Sequence, residues 1–452
     1  MARTVVEKQL GDITKLQRFA LIVLISASSS VIYTPVYLKW TFYQPLLDAL
    51  HVTNEQLGHL ESFYAITATI CYLPAGVLAN RIRVRTLCAL GLIGSAALTF
   101  WFATLPSYGS LMVIFLGMGV TTTLIFWGIR FKMVRLVSTT EGYAANIGLS
   151  YGMYGAVGLI IGLVNTVIVS SFAENSGLGI QVLLTFLGVL ILLIGITAYI
   201  AIPKFQSEIG ASENAFSLKD VGTSLKNPVI WLCAACMFFV YWVYIGISYT
   251  TPYLQNTLGA SLAVVSIIGV IRSYGITLIS GPIFGVIARK SHSPSKTIAI
   301  GAIIGAASLL GFAILPHSAG SVVLAVGLII LLGFIANGVY GIVSSQLSEG
   351  RIPLPIFGTA TGLLSVVGFL PDTFSPVWFG SLIDAHGDAA YPQIFAILAG
   401  SAIVAASFAV ILRIYVNRNK QQLDARYDAV MAEAARTPEN TTSTTAPVAE
   451  PA

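Results

Sequence analysis

Runs of about 20 consecutive apolar residues recur along most of this chain, each long enough to cross roughly 30 Å of hydrocarbon as a helix. No water reaches backbone N–H and C=O groups inside a bilayer, so such runs must satisfy their own hydrogen bonds as helices. The balance of residue types agrees: 56% of the 452 residues are hydrophobic and only 10% are charged, against about 25% charged in soluble proteins. This is the composition of an integral membrane protein with little chain left for a soluble domain. The net charge of +5 does not point to nucleic acid, because the basic residues are strung between apolar runs rather than gathered on one aromatic-rich surface.

Twelve spans are expected, at 18–50, 54–79, 85–105, 108–131, 143–172, 179–202, 228–256, 261–288, 297–316, 320–346, 357–383 and 391–416. All but two of the 24 Lys and Arg residues then fall on one side. They include Arg81, Arg83 and Arg85, Arg130, Lys132 and Arg135, Arg289 and Lys290, and the cations of both termini. The opposite loops hold acids such as Asp48, Glu55, Asp384 and Asp388 but no Lys or Arg. Positive charge accumulates on the cytoplasmic side of membrane proteins, so a multi-pass protein of the cytoplasmic membrane with both termini cytoplasmic is predicted. The segment 1–17 lacks an apolar core and predicts no cleavable signal peptide.

The polar connection 203–227 lies near the midpoint and suits a cytoplasmic tether between two six-helix bundles, 18–202 and 228–416. A repeat supports this division. Gly76-Val-Leu-Ala-Asn80-Arg81 ends the second span and Gly285-Val-Ile-Ala-Arg289-Lys290 ends the eighth, an offset of 209 residues. Paired repeats of this kind place a binding site near the midplane, between halves that rock about it. The tail 417–452 reads as a short charged, Ala-rich helix and then a disordered Thr, Pro and Glu-rich stretch. Asn440-Thr-Thr fits a glycosylation pattern but is expected on the cytoplasmic side. Cys233 and Cys236 form a C-x-x-C without the further ligands that zinc needs, and helix packing is the expected role of all four cysteines.

Between the second and third spans, Gly76, Arg81 and Arg85 match the pattern G-x-x-x-D-R-x-G-R-[RK], with Asn80 replacing the acid and Arg83 replacing the second glycine. Here the chain resembles the major facilitator superfamily, and helix count, central loop and internal repeat extend the likeness over residues 16 to 420. The run Tyr37 to Gly58 with Gly76, and Phe126-Trp127 followed by Lys132 and Arg135, resembles the bacterial branch grouped with nitrate, sugar-phosphate and organic-acid permeases. The resemblance implies an all-α fold of twelve membrane helices in two pseudo-symmetric bundles. It further implies a gating role for Gly76, Asn80, Arg81 and Arg85.

The two cations outside the topological pattern are Lys39 and Arg272. A charge near the centre of a membrane helix costs about 2.5 to 3.5 kcal/mol even on mild scales. Arg272 lies about 11 residues into its span, or about 16 Å at 1.5 Å per residue. Its guanidinium fork matches a carboxylate, sulfonate or phosphate. It either anchors an anionic substrate or pairs with an acid on a neighbouring helix. Lys39 either lines the cavity or snorkels toward the rim. Glu61 and Asp372 are the buried acids, available for proton coupling or as counter-ions. Tyr37, Tyr154, Tyr241, Tyr274 and Asn337 are expected to complete a polar and aromatic cavity. Arg130 and Lys132 either set topology or guard the inner mouth of an anion path.

No phosphate-binding loop appears, so energy would come from an ion or solute gradient. The expected function is secondary transport of a small organic anion or polar metabolite, by proton symport or anion exchange. A drug exporter or a sugar permease of the same fold is the alternative. No enzymatic activity, cofactor or metal site is expected. The predicted partners are an anionic small molecule, the lipid bilayer and protons, with the chain acting as a monomer.

Overall fold

The computed structural model describes residues 7–139, 142–206, 208–209, 222, 224–316 and 319–436. Parts of the expected amino-terminal segment, central tether and tail, including Lys219 and Asn440, lie outside them. Helices make up nearly all of the described chain: α1 (Lys15–Ile32), α2 (Tyr43–Leu50), α3 (Asn54–Arg81), α4 (Val84–Ala103), α5 (Tyr108–Gly119), α6 (Gly128–Leu136), α7 (Tyr143–Ser171) and α8 (Ser176–Ala201). After the central connection come α9 (Pro228–Gly246), α10 (Leu262–Val270), α11 (Ile276–Lys290), α12 (Pro294–Ala313), α13 (Val322–Ile342), α14 (Leu354–Gly368), α15 (Pro371–His386), α16 (Ala390–Arg418) and α17 (Lys420–Arg436).

Ten segments among the described residues are long and apolar enough to span a membrane. One of these, Thr359–Arg418, is broken at Gly387, where φ is +56° and glycine meets no steric penalty. The 28-residue α3 also has spanning length despite its acids. Counting both gives the twelve rods that the sequence implies. Their starts are fixed by polar caps. Thr14 and Thr53 each form a capping box with a glutamine three residues on, and Asn175, Asn227 and Ser293 cap α8, α9 and α12.

Several spans depart from continuous α-helix, among them the fourth, which holds a π-helical stretch at Val120–Trp127. The first, expected to run unbroken over 18–50, stops at Ile32 and resumes at Tyr43, with a short 3-10 turn at Leu38–Trp40 between. Pro35 lies in this gap, lacks a donor and disfavours helix at the residue before it. The seventh span breaks likewise: a 3-10 turn at Ile247–Tyr249 precedes Pro252, and a π-helical turn follows at Tyr253–Thr257. In the eighth span a π-helical turn, Ile271–Gly275, carries Arg272.

Packing differs between the two ends of the molecule. Toward the cation-free face one continuous apolar cluster joins early and late helices, with Leu46, Leu57 and Phe115 packed among Tyr249, Phe312, Phe379 and Phe395. Toward the cation-rich face the apolar residues form two separate clusters. One is built around Ile25, Leu87, Met133 and Ile191, the other around Ile230, Phe284, Ile298 and Leu412. The molecule is therefore sealed at the cation-free end and divided at the other.

The seal is tightest where α3 meets α15. A Cβ added at Gly58 would lie 2.2 Å from the carbonyl oxygen of Pro376, and one at Gly380 would lie 2.4 Å from that of Asn54. Asp384 fastens the same seam: its Oδ1 accepts from the backbone N–H of Asn54 at 3.1 Å and its Oδ2 from that of Glu55 at 2.8 Å. A carboxylate at a helix N-terminus satisfies donors that have no partner within the helix and opposes the helix dipole. Gly76 contrasts with Gly58, since nothing lies within 4 Å of a Cβ placed there. Gly58→Ala is expected to lower the melting temperature of purified protein, at a cost of about 1 to 3 kcal/mol for overpacking. Gly76→Ala should leave it unchanged or raise it slightly.

Candidate functional site

Arg272 is buried, 3% exposed, in its π-helical turn. Its Nη1 donates to the carbonyl oxygen of Ile247 at 2.8 Å and to the hydroxyls of Thr250 and Thr251 at 3.0 and 3.2 Å. Its Nη2 donates to the carbonyl oxygen of Trp40 at 2.8 Å. These acceptors come from the breaks in the first and seventh spans, where 3-10 turns leave carbonyl lone pairs outside the helical ladder. The Thr251 hydroxyl donates to the same Trp40 oxygen at 2.9 Å. One guanidinium thus binds both breaks together. Among the described residues no carboxylate lies within salt-bridge distance of it.

Asn337 supports this arrangement from α13. Its amide donates to Gly333 O at 2.9 Å and, more weakly, to the carbonyl of Arg272 at 3.5 Å, while Thr277 donates to its Oδ1 at 2.8 Å. Gly333 leaves room for the arginine, because a Cβ there would lie 3.0 Å from Arg272 Cγ.

Lys39 does not reach the rim as a snorkelling lysine would. It is 3% exposed within the first break, and its Nζ lies 2.6 Å from Glu61 Oε2 and 5.4 Å from the Tyr249 ring centroid. Lys39 is adjacent in sequence to Trp40, so this ion pair adjoins the Arg272 cluster. Asp372, in the first turn of α15, accepts from the Tyr241 hydroxyl at 2.5 Å. It has no cation within salt-bridge distance among the described residues.

Aromatic rings connect these groups. Tyr241 lies 5.9 Å from Tyr244 and 4.7 Å from Phe369, and Tyr244 lies 4.5 Å from Tyr340 and 6.2 Å from Trp40. Tyr37 stands between Trp40 and Tyr64, at 4.6 and 5.7 Å. Tyr154 and Tyr274 face each other at 6.2 Å from α7 and the π-helical turn, the latter ring filling the notch left by Gly158. All five expected polar and aromatic residues therefore belong to one network with Arg272, Lys39, Glu61 and Asp372 or sit beside it.

The residues of the 76–85 motif lie elsewhere, on the cation-rich face. Arg81 is exposed at the end of α3, and the Arg85 guanidinium stacks 4.4 Å from the Tyr199 ring. The side chain of Asn80 is outside the described set. A residue that sequence reasoning passed over stands near: Glu208, its side chain fully buried, accepts from the N–H of Val84 and pairs with Arg83 at 3.7 Å. Arg83 also pairs with Glu7. Also missed were Thr250, Thr251 and the two accepting carbonyls, for which Pro35 and Pro252 were the available signals. An apolar groove of about 410 Å³ lies between α3 and α15, lined by His59, Phe63, Phe374 and Trp378.

Sequence and fold comparisons agree with this fold. The chain is 27% identical over 363 residues to the inner membrane protein YqcE of Escherichia coli, covering 79% of this chain and 85% of that one. It is 27% identical over 417 residues to the inner membrane protein YihN of the same organism, covering 90% and 98%. Among solved structures, a bacterial homolog of the human lysosomal transporter Spinster, inward-facing and unoccupied, superposes with a TM-score of 0.69 at 14% identity, covering 88% of this chain and 96% of that one. The nucleoside transporter NupG superposes with a TM-score of 0.65 at 16% identity, covering 88% and 99%. The sequence profile of the Major Facilitator Superfamily matches residues 20–376, and this chain belongs to that family of membrane transporters.

Proposed function

We propose that this secondary transporter moves a small organic anion or other anionic metabolite by alternating access, as a proton symporter or an anion exchanger. The observation that carries the reading is Arg272. Its charge is buried where the two helix breaks meet, and its hydrogen-bond partners among the described residues are all neutral oxygens. An arriving carboxylate, phosphate or sulfonate supplies the negative charge that the protein itself does not place there. In this reading the bundles 18–202 and 228–416 move about the Arg272 cluster, the cation-rich face is cytoplasmic, and the divided end is the one open to cargo. The inward-facing state of the Spinster homolog is consistent with that assignment.

The two buried acids take different roles. Glu61 is a fixed counter-ion, since its carboxylate is already joined to Lys39. Asp372 is the coupling group, because it is held by a neutral hydroxyl and faces no cation within salt-bridge distance among the described residues. A drug exporter would need a free acid for a cationic substrate, and Asp372 is the group that would serve it.

Reconstitution into liposomes separates these readings, with gluconate, glucose 6-phosphate, methanesulfonate and a lipophilic cation tested with and without a pH gradient. Arg272→Ala is expected to abolish anion uptake, and Arg272→Lys to restore only a small part, because an ammonium does not reproduce the fork. Anion uptake by Arg272→Ala equal to that of the parent would defeat the anchor. Asp372→Asn is expected to keep counterflow of the same anion while losing accumulation driven by the pH gradient. Glu61→Gln should act on folding instead: leaving Lys39 buried without its partner costs about 3 to 5 kcal/mol, read as a lowered melting temperature. Replacing both residues, Lys39→Met with Glu61→Met, should recover much of that loss.

A further inference from the structure

Arg130 ends the fourth span among cations that set topology, yet its side chain does not behave as a solvated one. It follows the π-helical stretch Val120–Trp127, whose wider turn rotates the succeeding residues about the helix axis. The rotation delivers Arg130 to α7. There its guanidinium carbon lies 4.2 Å from the Tyr151 ring centroid and 5.2 Å from that of Tyr154, and its Nε donates to Ser150 Oγ at 3.2 Å. Ser150 is itself held by Ser26 at 2.8 Å. The Nη2 nitrogen is buried and has no hydrogen-bond partner, and no carboxylate among the described residues lies within salt-bridge distance.

A buried donor left unpaired costs free energy that a bound acceptor restores. Arg272 is different in this respect, because both of its Nη atoms are already engaged by protein oxygens. Arg130 also stands toward the divided end, on the early-helix side of the gap between the two apolar clusters. Tyr154 connects the site to Tyr274, two residues beyond Arg272, at 6.2 Å between ring centroids. With Tyr151 and Tyr154 packed on the guanidinium and Nε engaged by Ser150, the buried Nη2 is a donor left to meet an in-plane oxyanion.

We propose that Arg130, framed by Tyr151 and Tyr154, is a second oxyanion-binding station on the cargo path, receiving a carboxylate, phosphate or sulfonate on the cation-rich side of Arg272. The proposal rests on the anionic-cargo reading above. Its ligand is an acceptor anion, whether carried by a soluble metabolite or by a lipid headgroup, and the experiment distinguishes the two.

Full-length purified protein in a neutral detergent is titrated with gluconate, glucose 6-phosphate and methanesulfonate, and in a separate arm with phosphatidylglycerol. Melting temperature and tryptophan fluorescence report binding. At least one soluble anion is expected to stabilise the parent, with affinity falling about tenfold or more in Arg130→Ala and less in Arg130→Lys. Tyr151→Phe retains the ring and should bind normally, whereas Tyr151→Ala should weaken binding; both report on the station without removing the cation. Binding by Arg130→Ala as tight as the parent's overturns the station, and if Arg272→Ala alone loses binding, the anionic-cargo reading survives without it. A parent indifferent to every soluble anion removes both. An Arg130-dependent response to phosphatidylglycerol only would overturn the cargo station in favour of a lipid contact.

Discussion

A guanidinium held among oxygens that broken helices leave free is the interaction on which this interior depends. Unwound backbone is tolerated at membrane depth only where protein or water satisfies it. A buried cation, in turn, is tolerated only where donors and acceptors match. Arg272 and the breaks at Trp40 and Ile247 meet both requirements at once. Neither partner is stable in this setting alone. The prolines that interrupt the first and seventh spans are thus part of the same design as the arginine in the eighth, although they lie far apart in sequence.

The Lys39–Glu61 pair sits immediately beside this junction and neutralises itself. The network of tyrosines then extends from Trp40 through Tyr244 and Tyr241 to Asp372. Charge is therefore graded along the network. One end holds a closed ion pair, the middle an arginine with neutral partners, and the other end a carboxylate held by a hydroxyl. Aromatic rings between them provide contact area at little cost in conformational entropy, while their hydroxyls supply the few polar atoms that fix orientation.

Much of this was legible in the sequence, and the reasons for the remainder are specific. Lys39, Arg272, Glu61 and Asp372 stood out because charge is rare within apolar runs. The pairing of Lys39 with Glu61, and the absence of a carboxylate at Arg272 among the described residues, were not readable, since a count of two cations and two acids permits several pairings. The partners of Arg272 are mainly main-chain oxygens, which leave no side-chain signature. The π-helical turns at Val120–Trp127 and Ile271–Gly275 shift a face by a residue without any compositional mark. Arg130 was legible as a cation that either sets topology or guards the inner mouth of an anion path, but its placement against Ser150, Tyr151 and Tyr154 was not. Along α7, Gly155, Gly158 and Gly162 receive Leu278, Tyr274 and Val270, whereas Gly148 and Gly152 face open space.

The seam between α3 and α15 is made of main chain pressed on main chain at Gly58 and Gly380. Side chains yield by changing rotamer and so permit a graded separation, but two backbones in contact have no such compliance. Parting them forfeits the short-range attraction within a fraction of an ångström. Packed joints of this kind tend to be bistable rather than continuously deformable. Under the alternating-access reading proposed above, such a seam would act as a latch with a threshold rather than as a hinge that drifts.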